Sequence, residues 1–369
     1  MMLKQVILPR CLAVAVLGFL MASLSSHGFL VESSLGQVSA QRSDFVSDAS
    51  FIVGTYVPSD RSHAPEKTTA AANAFLESLD VKLRAKCVGT LKTPVRREWT
   101  NLPAKRDADG VRMAELNETQ IKLACELMAK LFSEQGYEKM CSIMLADDQL
   151  LKGGRPRNGF GTENFSVVIF GTPSPTEPWG FQLDGHHVGT NVSIEGDRLT
   201  MSPSFIGTQP RAFKIASKEY EPFKHETGLA HKLAMSLNVE QIKAAVLRPT
   251  RARIMTGPGN DGVIPPNEGL ACSALSESQQ AILFSLIEQW VGDLPKPHAD
   301  ARMKQIKAEL GEMKFAWNGS REPQSDVSYT IQSPSLIIEY ACQNLGGNPL
   351  DHLHSNYRNP KNEYGGQLK

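Results

Sequence analysis

The chain has 369 residues, of which 41% are hydrophobic and 21% are charged, and its 39 lysines and arginines equal its 39 aspartates and glutamates. This length suits one large domain or two modest ones. With a formal net charge of zero and no long basic or acidic run, the sequence gives no electrostatic support for binding nucleic acid or an anionic membrane surface.

The first 40 residues are predicted to be a signal peptide. Lys4 and Arg10 precede an apolar run over residues 11–22, which is too short to span a bilayer comfortably as a helix. Small residues at 38–40 stand at an export-cleavage spacing, and residues 23–25 are an earlier option. An uncleaved membrane anchor is the alternative. No later segment is apolar enough to cross a bilayer, so we expect an exported protein without membrane contact after cleavage.

Residues 41–65 are rich in Ser, Asp and Pro and are expected to form an exposed leader. Helices are predicted at residues 70–87 and from Asn117 onward, where Asn117 and Gln120 stand at the spacing of a capping box. The second helix has a buried stripe of apolar residues: Ile121, Cys125, Met128 and Phe132. Residues 153–161, rich in Gly, Arg and Asn, are expected to form a loop.

From Phe165 onward the pattern alternates between blocks of strands and blocks of helices. Strands are predicted at residues 165–170, 179–188, 188–194 and 198–204. Helices resume at residues 223–237, 239–247, 277–291 and 299–310, with Ser276 and Gln279 capping the third. Strands follow at residues 314–317, 327–332 and 336–340. Because the order is not strictly βαβ, the sequence predicts an α+β fold, a mainly antiparallel sheet flanked by helices in a single compact domain over residues 66–369.

The cysteines do not specify a disulfide framework. Five remain if Cys11 leaves with the signal peptide, their spacings are long, and there is no CxxC motif. One or two bridges stay open on this pattern. Cys125, on an apolar helix stripe, is predicted to be a buried thiol.

Two histidine clusters are the candidate centre of the chemistry. In an extended segment alternate side chains share a face, so His352 and His354 are expected to point the same way. By the same rule His186 and His187 should point to opposite sides, unless Gly185 breaks the strand. We predict that the hairpin bearing His187 and the segment 351–358 are neighbours in the fold.

Three imidazoles from His187, His352 and His354 that leave one position open to water suit a catalytic zinc, or another transition metal. Neither a His-His nor a His-x-His motif is specific for a metal by itself. The alternative is that these histidines hydrogen-bond to one another, to Asp184 or Asp351, or to the backbone, and stabilise strand ends.

Glu339 and Arg358 are candidate partners of the histidines. Glu339 lies in an apolar strand, where its carboxylate either reaches a solvated sheet face or is held by a cation such as Arg358. The second arrangement would place a general base beside the His-x-His segment. Arg358 is expected either to clamp a C-terminal carboxylate such as Glu363 or to bind an anionic substrate.

Five stretches of the chain carry a further signal in their order along the sequence: Pro178-Trp179-Gly180-Phe181-Gln182-Leu183-Asp184-Gly185-His186-His187, Ser202-Pro203-Ser204-Phe205-Ile206-Gly207, Lys314-Phe315-Ala316-Trp317-Asn318-Gly319, Leu336-Ile337-Ile338-Glu339-Tyr340, and His352-Leu353-His354 with Arg358 and Gly365. Together they resemble the uncharacterised domain-of-unknown-function family numbered 3500, over a span from about Trp99 to Leu368. The resemblance implies no activity. The chain departs from the family pattern at Asn359 (usually Asp), Glu363-Tyr364 (usually Asp-Phe) and Thr330 (usually Arg).

Two functions from different classes follow as hypotheses. The first is a metal-dependent hydrolase acting on a small or polymeric extracellular substrate, with His187, His352 and His354 as metal ligands. In it, His186 or Glu339 is the acid or base, Arg358 orients the substrate, and Trp179 and Asn191 bind it. The second is a non-catalytic extracellular binding or structural protein, in which the His, Asp and Arg residues form a hydrogen-bonded lock.

Overall fold

The structure, a computed structural model, describes residues 41–92, 94–103, 110–156, 158–345 and 347–368. The predicted signal peptide lies outside these residues. Residues 46–369 form one compact unit. In the described part of the chain, no helix combines the length and the apolar character that crossing a bilayer requires.

The helices are α1 (Asp48–Thr55), α2 (Pro65–Ser78), α3 (Val81–Cys87), α4 (Glu118–Leu131), α5 (Glu134–Lys152), α6 (Lys224–Ser236), α7 (Val239–Ala245), α8 (Glu277–Val291) and α9 (Lys296–Ala308). The strands are β1 (Val88–Gly89), β2 (Val111–Arg112), β3 (Ser166–Phe170), β4 (Trp179–Gly185), β5 (Val188–Glu195), β6 (Arg198–Thr208), β7 (Phe213–Ile215), β8 (Lys218–Tyr220), β9 (Val246–Arg248), β10 (Leu270–Ala271), β11 (Lys314–Asn318), β12 (Ser328–Ser333), β13 (Leu336–Cys342) and β14 (Leu353–Arg358). The α+β prediction is confirmed.

Local sequence rules explain several of these elements. The capping box of α4 is present, because Asn117 accepts from the Gln120 backbone N–H while the Gln120 side chain accepts from the Asn117 backbone N–H. The stripe of apolar residues predicted for α4 is buried, with Cys125 as a free thiol. Helix α1 lies in the segment expected as an exposed leader. It buries Ile52 and Val53 in the core, since even a polar segment gains from removing such side chains from water.

The arrangement of the main sheet depends on where its last strand, β14, is inserted. The main sheet has the order β1-β3-β4-β5-β6-β14-β13-β12-β11-β10 and is antiparallel except where β1 pairs with β3 and β9 pairs with β11. Strand β14 therefore lies in the middle of the sheet, between β6 and β13. This insertion brings the C-terminal histidines beside the hairpin formed by β4 and β5.

The two faces of β14 have different coverings. On one face, Trp290 of α8 donates to the Ser355 hydroxyl at 2.9 Å, and Arg302 of α9 donates to the Tyr357 hydroxyl at 2.9 Å. On the other face, Asn356 donates to the backbone carbonyl of Thr256 at 2.5 Å. Helices thus pack on the first face, and the loop between β9 and β10 covers part of the second, which also carries His354.

A buried ion cluster fixes helix α5. The Lys139 ammonium lies 2.9 Å from a carboxylate oxygen of Glu226 on α6 and 2.9 Å from one of Asp293, just after α8. Such a buried charge is tolerated because both partners and hydrogen bonds satisfy it. Helix α5, whose second half faces the histidines, is therefore held in one orientation against α6 and α8.

Candidate metal centre

The turn between β4 and β5 places two imidazoles side by side. Gly185 and Val188 are the last paired residues, so His186 and His187 form the turn itself. His187 has a φ of +68°, and its backbone carbonyl accepts from the Gly207 N–H at 2.7 Å. The two rings stack with centroids 3.7 Å apart. The rings do not point to opposite sides, because the strand ends at Gly185, which is the exception that the sequence pattern left open.

The start of β14 supplies the other two imidazoles. Leu353 is 1% exposed and points into the core, while His352 and His354 on either side of it share the opposite face, as predicted. The Nε2 atoms of His187 and His352 are 2.9 Å apart, and those of His352 and His354 are 3.0 Å apart. The prediction that the hairpin and the C-terminal segment are neighbours is confirmed.

Gly207 on β6 makes room for this convergence. It pairs with His354 in the β6–β14 ladder. A Cβ atom at this position would lie 2.8 Å from Cδ2 of His354 and 3.0 Å from Cδ2 of His187, closer than normal contacts allow. The absence of a side chain at Gly207 is what lets both rings approach the same point.

His187, His352 and His354 form a group that is geometrically able to hold a metal ion, with one ligand atom from each residue and all three atoms within 4.8 Å of one another. The Nδ1 atom of His352 is 2.6 Å from the carbonyl oxygen of Leu345, which fixes the proton on Nδ1 and leaves the Nε2 lone pair free. Burial lowers the pKa of His187 and of His354 well below the usual range, so both imidazoles are held in the neutral form that binds metals.

Asp147 on α5 completes a second group able to hold a metal, together with His186 and His187. Its carboxylate lies 2.5 Å from Nδ1 of His186 and also accepts from the Gly161 backbone N–H at 2.6 Å. Burial raises the pKa of Asp147, whereas the contact with His186 opposes that shift. Phe160 packs edge-on against the His186 ring, with centroids 4.8 Å apart.

Asp147 was missed by the sequence analysis, which identified no helix over residues 134–152. A signal was present, because Asp147 and Asp148 interrupt the apolar run Ile143-Met144-Leu145-Ala146. Two adjacent carboxylates that follow a buried helical stripe need hydrogen-bond or charge partners, and such residues are candidates for a site.

The family comparison agrees with the motifs that contain these histidines. The family model described as "Protein of unknown function (DUF3500)" matches residues 62–366. The chain belongs to this family. No curated protein and no solved structure matches the chain. Membership in DUF3500 therefore brings no named activity with it.

Glu339 of this DUF3500 protein has neither of its expected environments. It is 4% exposed, so it does not reach solvent, and its partners are the Met255 N–H at 2.8 Å, the Thr256 N–H at 2.9 Å and the Thr256 hydroxyl. The carboxylate therefore anchors the loop between β9 and β10. Glu339 of β13 pairs with Asn356 of β14. Asn356 lies two residues after His354, on the same face of β14.

Arg358 forms the expected clamp on Glu363, through Nε, and also donates to the Val263 carbonyl at 2.8 Å. It is 1% exposed. Trp179 is fully buried, and its indole N–H donates to the Ser174 carbonyl at 3.1 Å. Asn191 is also buried and accepts from the Gln182 side chain at 2.7 Å. The structure does not bring Arg358, Trp179 or Asn191 into contact with the imidazoles.

Proposed function

We propose that this protein is an exported metal-dependent hydrolase whose metal, most simply zinc, is held by His187, His352 and His354. The observation that carries the proposal is the approach of three Nε2 atoms from two distant parts of the chain. Three neutral imidazoles with a fourth position for water are a known donor set of catalytic zinc sites. The N-terminal sequence pattern supports export.

Different contacts would orient each of the three metal ligands. His352 is oriented by the Leu345 carbonyl, whereas His354 packs edge-on against Phe205, with centroids 5.2 Å apart. The turn backbone, tied to Gly207, orients His187. When bound, a divalent metal in such a site lowers the pKa of a coordinated water and polarises a substrate carbonyl or phosphoryl oxygen.

We assign the acid/base role to His186. Its Nδ1 faces the Asp147 carboxylate, so the carboxylate fixes the tautomer and leaves Nε2 as the atom that accepts or returns a proton. The ring stacks on His187, which keeps it next to the metal position. Asp147 acts here as a positioning residue, because its own contacts are with His186 and the Gly161 backbone.

Arg358 does not orient the substrate in this proposal, because it is buried and engaged by Glu363. The substrate would be a small or polymeric extracellular molecule.

Metal binding is tested on the full chain purified without chelators. Elemental analysis and a zinc titration of the parent should give one metal per chain. The variant His354→Ala should lose it, whereas His225→Ala, which removes an exposed histidine of α6, should not. Hydrolysis of a chromogenic ester is then compared between the parent and His186→Ala, with metal content measured in both. A parent that binds no divalent metal would end the proposal.

The hydrogen-bonded lock is the second candidate, and one observation favours it. The Nε2 atoms of His187 and His354 lie at hydrogen-bond distance from the same Nε2 of His352. Because the Nδ1 proton of His352 faces Leu345, its Nε2 would have to accept from both neighbours through a single lone pair. A single cation satisfies three lone pairs at once, which is why we prefer the metal.

A further inference from the structure

A polar cavity lies at the opposite end of β14 from the histidines. It has a volume of about 350 Å³ and lies between the start of β6, helix α9 and the C-terminal segment. Tyr357 and Asn359, at the end of β14, contribute to its wall, whereas His354 is the second residue of that strand. Cavities of this size hold small molecules in many proteins.

The wall of this cavity contains a buried cation. Arg302 is 8% exposed, and its guanidinium donates to the Tyr357 hydroxyl at 2.9 Å, to the Ser335 hydroxyl at 2.9 Å and to the Gln305 side chain at 2.8 Å. It also donates to the Ser335 carbonyl. All of these partners are neutral. Among the described residues, no carboxylate lies within ion-pair distance of Arg302. Buried charges are normally paired, so this positive charge, which has no carboxylate partner among the described residues, favours an anionic ligand.

The wall contains four side-chain amides, those of Gln305, Asn359, Asn362 and Gln367. In three of them the amide oxygen is already occupied: that of Gln305 by Arg302 at 2.8 Å, that of Asn359 by the Lys361 N–H at 3.2 Å, and that of Asn362 by the Gln367 N–H at 2.9 Å. These bonds fix which end of each amide is oxygen. Within the described part of the chain the NH₂ groups of these three amides have no hydrogen-bond acceptor, and a ligand that binds them must supply acceptor oxygens.

The other wall residues restrict the chemical groups that a ligand of this cavity can carry. Leu199, Leu294 and Leu368 give it an apolar part, and Arg198 adds a second cation at the rim, where it donates to Glu195 and to the Gln367 carbonyl. Asp197 is an acidic residue at the rim. The wall thus combines hydrogen-bond donors with apolar side chains, and a matching ligand needs both oxygen atoms and some carbon surface.

We propose that this cavity binds a small organic carboxylate rich in oxygen atoms, with its carboxylate facing Arg302 and the amides of Gln305, Asn359 and Asn362. Charge-assisted and multiple hydrogen bonds recognise such a group strongly. The site is separate from the imidazole centre, so its occupation does not depend on whether a metal binds there.

The test uses glucuronate as the probe, with glucose as a matched neutral molecule and inorganic phosphate as a compact anion. Isothermal titration of the full chain should show glucuronate binding, with glucose weaker by at least about tenfold because it lacks the charge. Three outcomes would overturn the proposal: no binding of glucuronate, equal binding of glucose, or tighter binding of phosphate than of glucuronate.

Two variants test whether glucuronate binds in this cavity. Gln305→Glu keeps the bond to Arg302 and supplies the missing negative charge, so it should raise the melting temperature and remove glucuronate binding. Asn359→Asp replaces a donor with a carboxylate and should weaken glucuronate by at least about tenfold. Asn267→Asp, the same change at an exposed position outside the cavity wall, is the control and should bind like the parent. Parental affinity in a folded Gln305→Glu variant would place the probe elsewhere and refute the proposal.

Discussion

The Nε2 atoms of His187 and His352 lie 2.9 Å apart although 165 residues separate them in the chain. The strand order produces this contact, because β14 inserts between β6 and β13 and carries His352 and His354 to the turn that bears His187. A contact made by such long-range pairing is fixed by the whole sheet. It therefore provides a rigid place for a ligand to bind.

Exchanging His354 for Ala should remove bound metal while leaving the free energy of unfolding of the metal-free protein nearly unchanged. Leu353, its neighbour on β14, is 1% exposed, so Leu353→Ala should cost about 2–4 kcal/mol through the cavity it leaves. A denaturant melt and a metal titration of both variants check this. In the lock, His354→Ala would cost roughly 1–3 kcal/mol because a hydrogen bond is lost, with no metal to lose.

Gly207→Ala should impair the convergence of the imidazoles. The added methyl would meet Cδ2 of His354 at 2.8 Å and the Leu353 carbonyl oxygen at 2.9 Å, so the rings or the strand must shift, at a cost of about 1–3 kcal/mol. We expect weaker metal binding, measured by titration. The control is Gly228→Ala in α6, where the methyl meets nothing within 4 Å. That change should stabilise the helix by about 0.5–1 kcal/mol. Equal metal affinity in both variants would contradict the prediction.

The tautomers of the histidines distinguish the metal site from the lock. In the lock, His187 and His354 carry Nε2–H protons directed at His352. In the metal site all three Nε2 atoms are ligands, and the protons move to Nδ1. Nitrogen NMR of histidine-labelled protein should therefore show these two residues changing tautomer when one equivalent of zinc is added. His225, exposed on α6, serves as the internal reference. A spectrum unchanged by zinc would support the lock.

Glu339→Gln should reduce stability and leave metal binding intact. The Glu339 carboxylate accepts from the Met255 and Thr256 backbone N–H groups, and an amide retains only part of that capacity. We expect a loss of about 1–3 kcal/mol in the free energy of unfolding. Metal titration and ester hydrolysis per bound metal are measured on the folded variant. A large fall in hydrolysis at full metal content would instead restore Glu339 as the acid or base.

Asp148 should make stability depend on pH. Burial raises its pKa to about 7, although hydrogen bonds from Thr162 oppose the shift. The folded state then holds this proton more tightly than the unfolded state, whose carboxyl titrates near about 3.9. Its contribution is full below about pH 4 and is lost as pH rises through about 7, by at most about 4 kcal/mol.

Asp148→Asn removes that titration. The difference in unfolding free energy between parent and variant, measured in denaturant at several pH values, should shift in favour of the variant as pH rises from about 4 to about 7. A difference that is the same at every pH would show that Asp148 carries the same charge in the folded and unfolded states.

The sequence by itself determined the features that depend on local periodicity and capping. The capping box at Asn117 and Gln120, the burial of Cys125 and the shared face of His352 and His354 are all present. Each depends on residues two to four positions apart, where the helix repeat or strand alternation fixes the geometry. The α+β class followed from the same patterns.

Only the tertiary structure decided which of those residues meet. Asp147 reaches His186 because α5, anchored through Lys139, packs against the hairpin turn. Glu339 contacts Thr256 and not Arg358, because the loop between β9 and β10 covers that part of the sheet. Such contacts depend on strand order and on packing between distant segments. Local propensity does not encode such long-range contacts. Because each of them is buried, its loss would lower the stability of the fold.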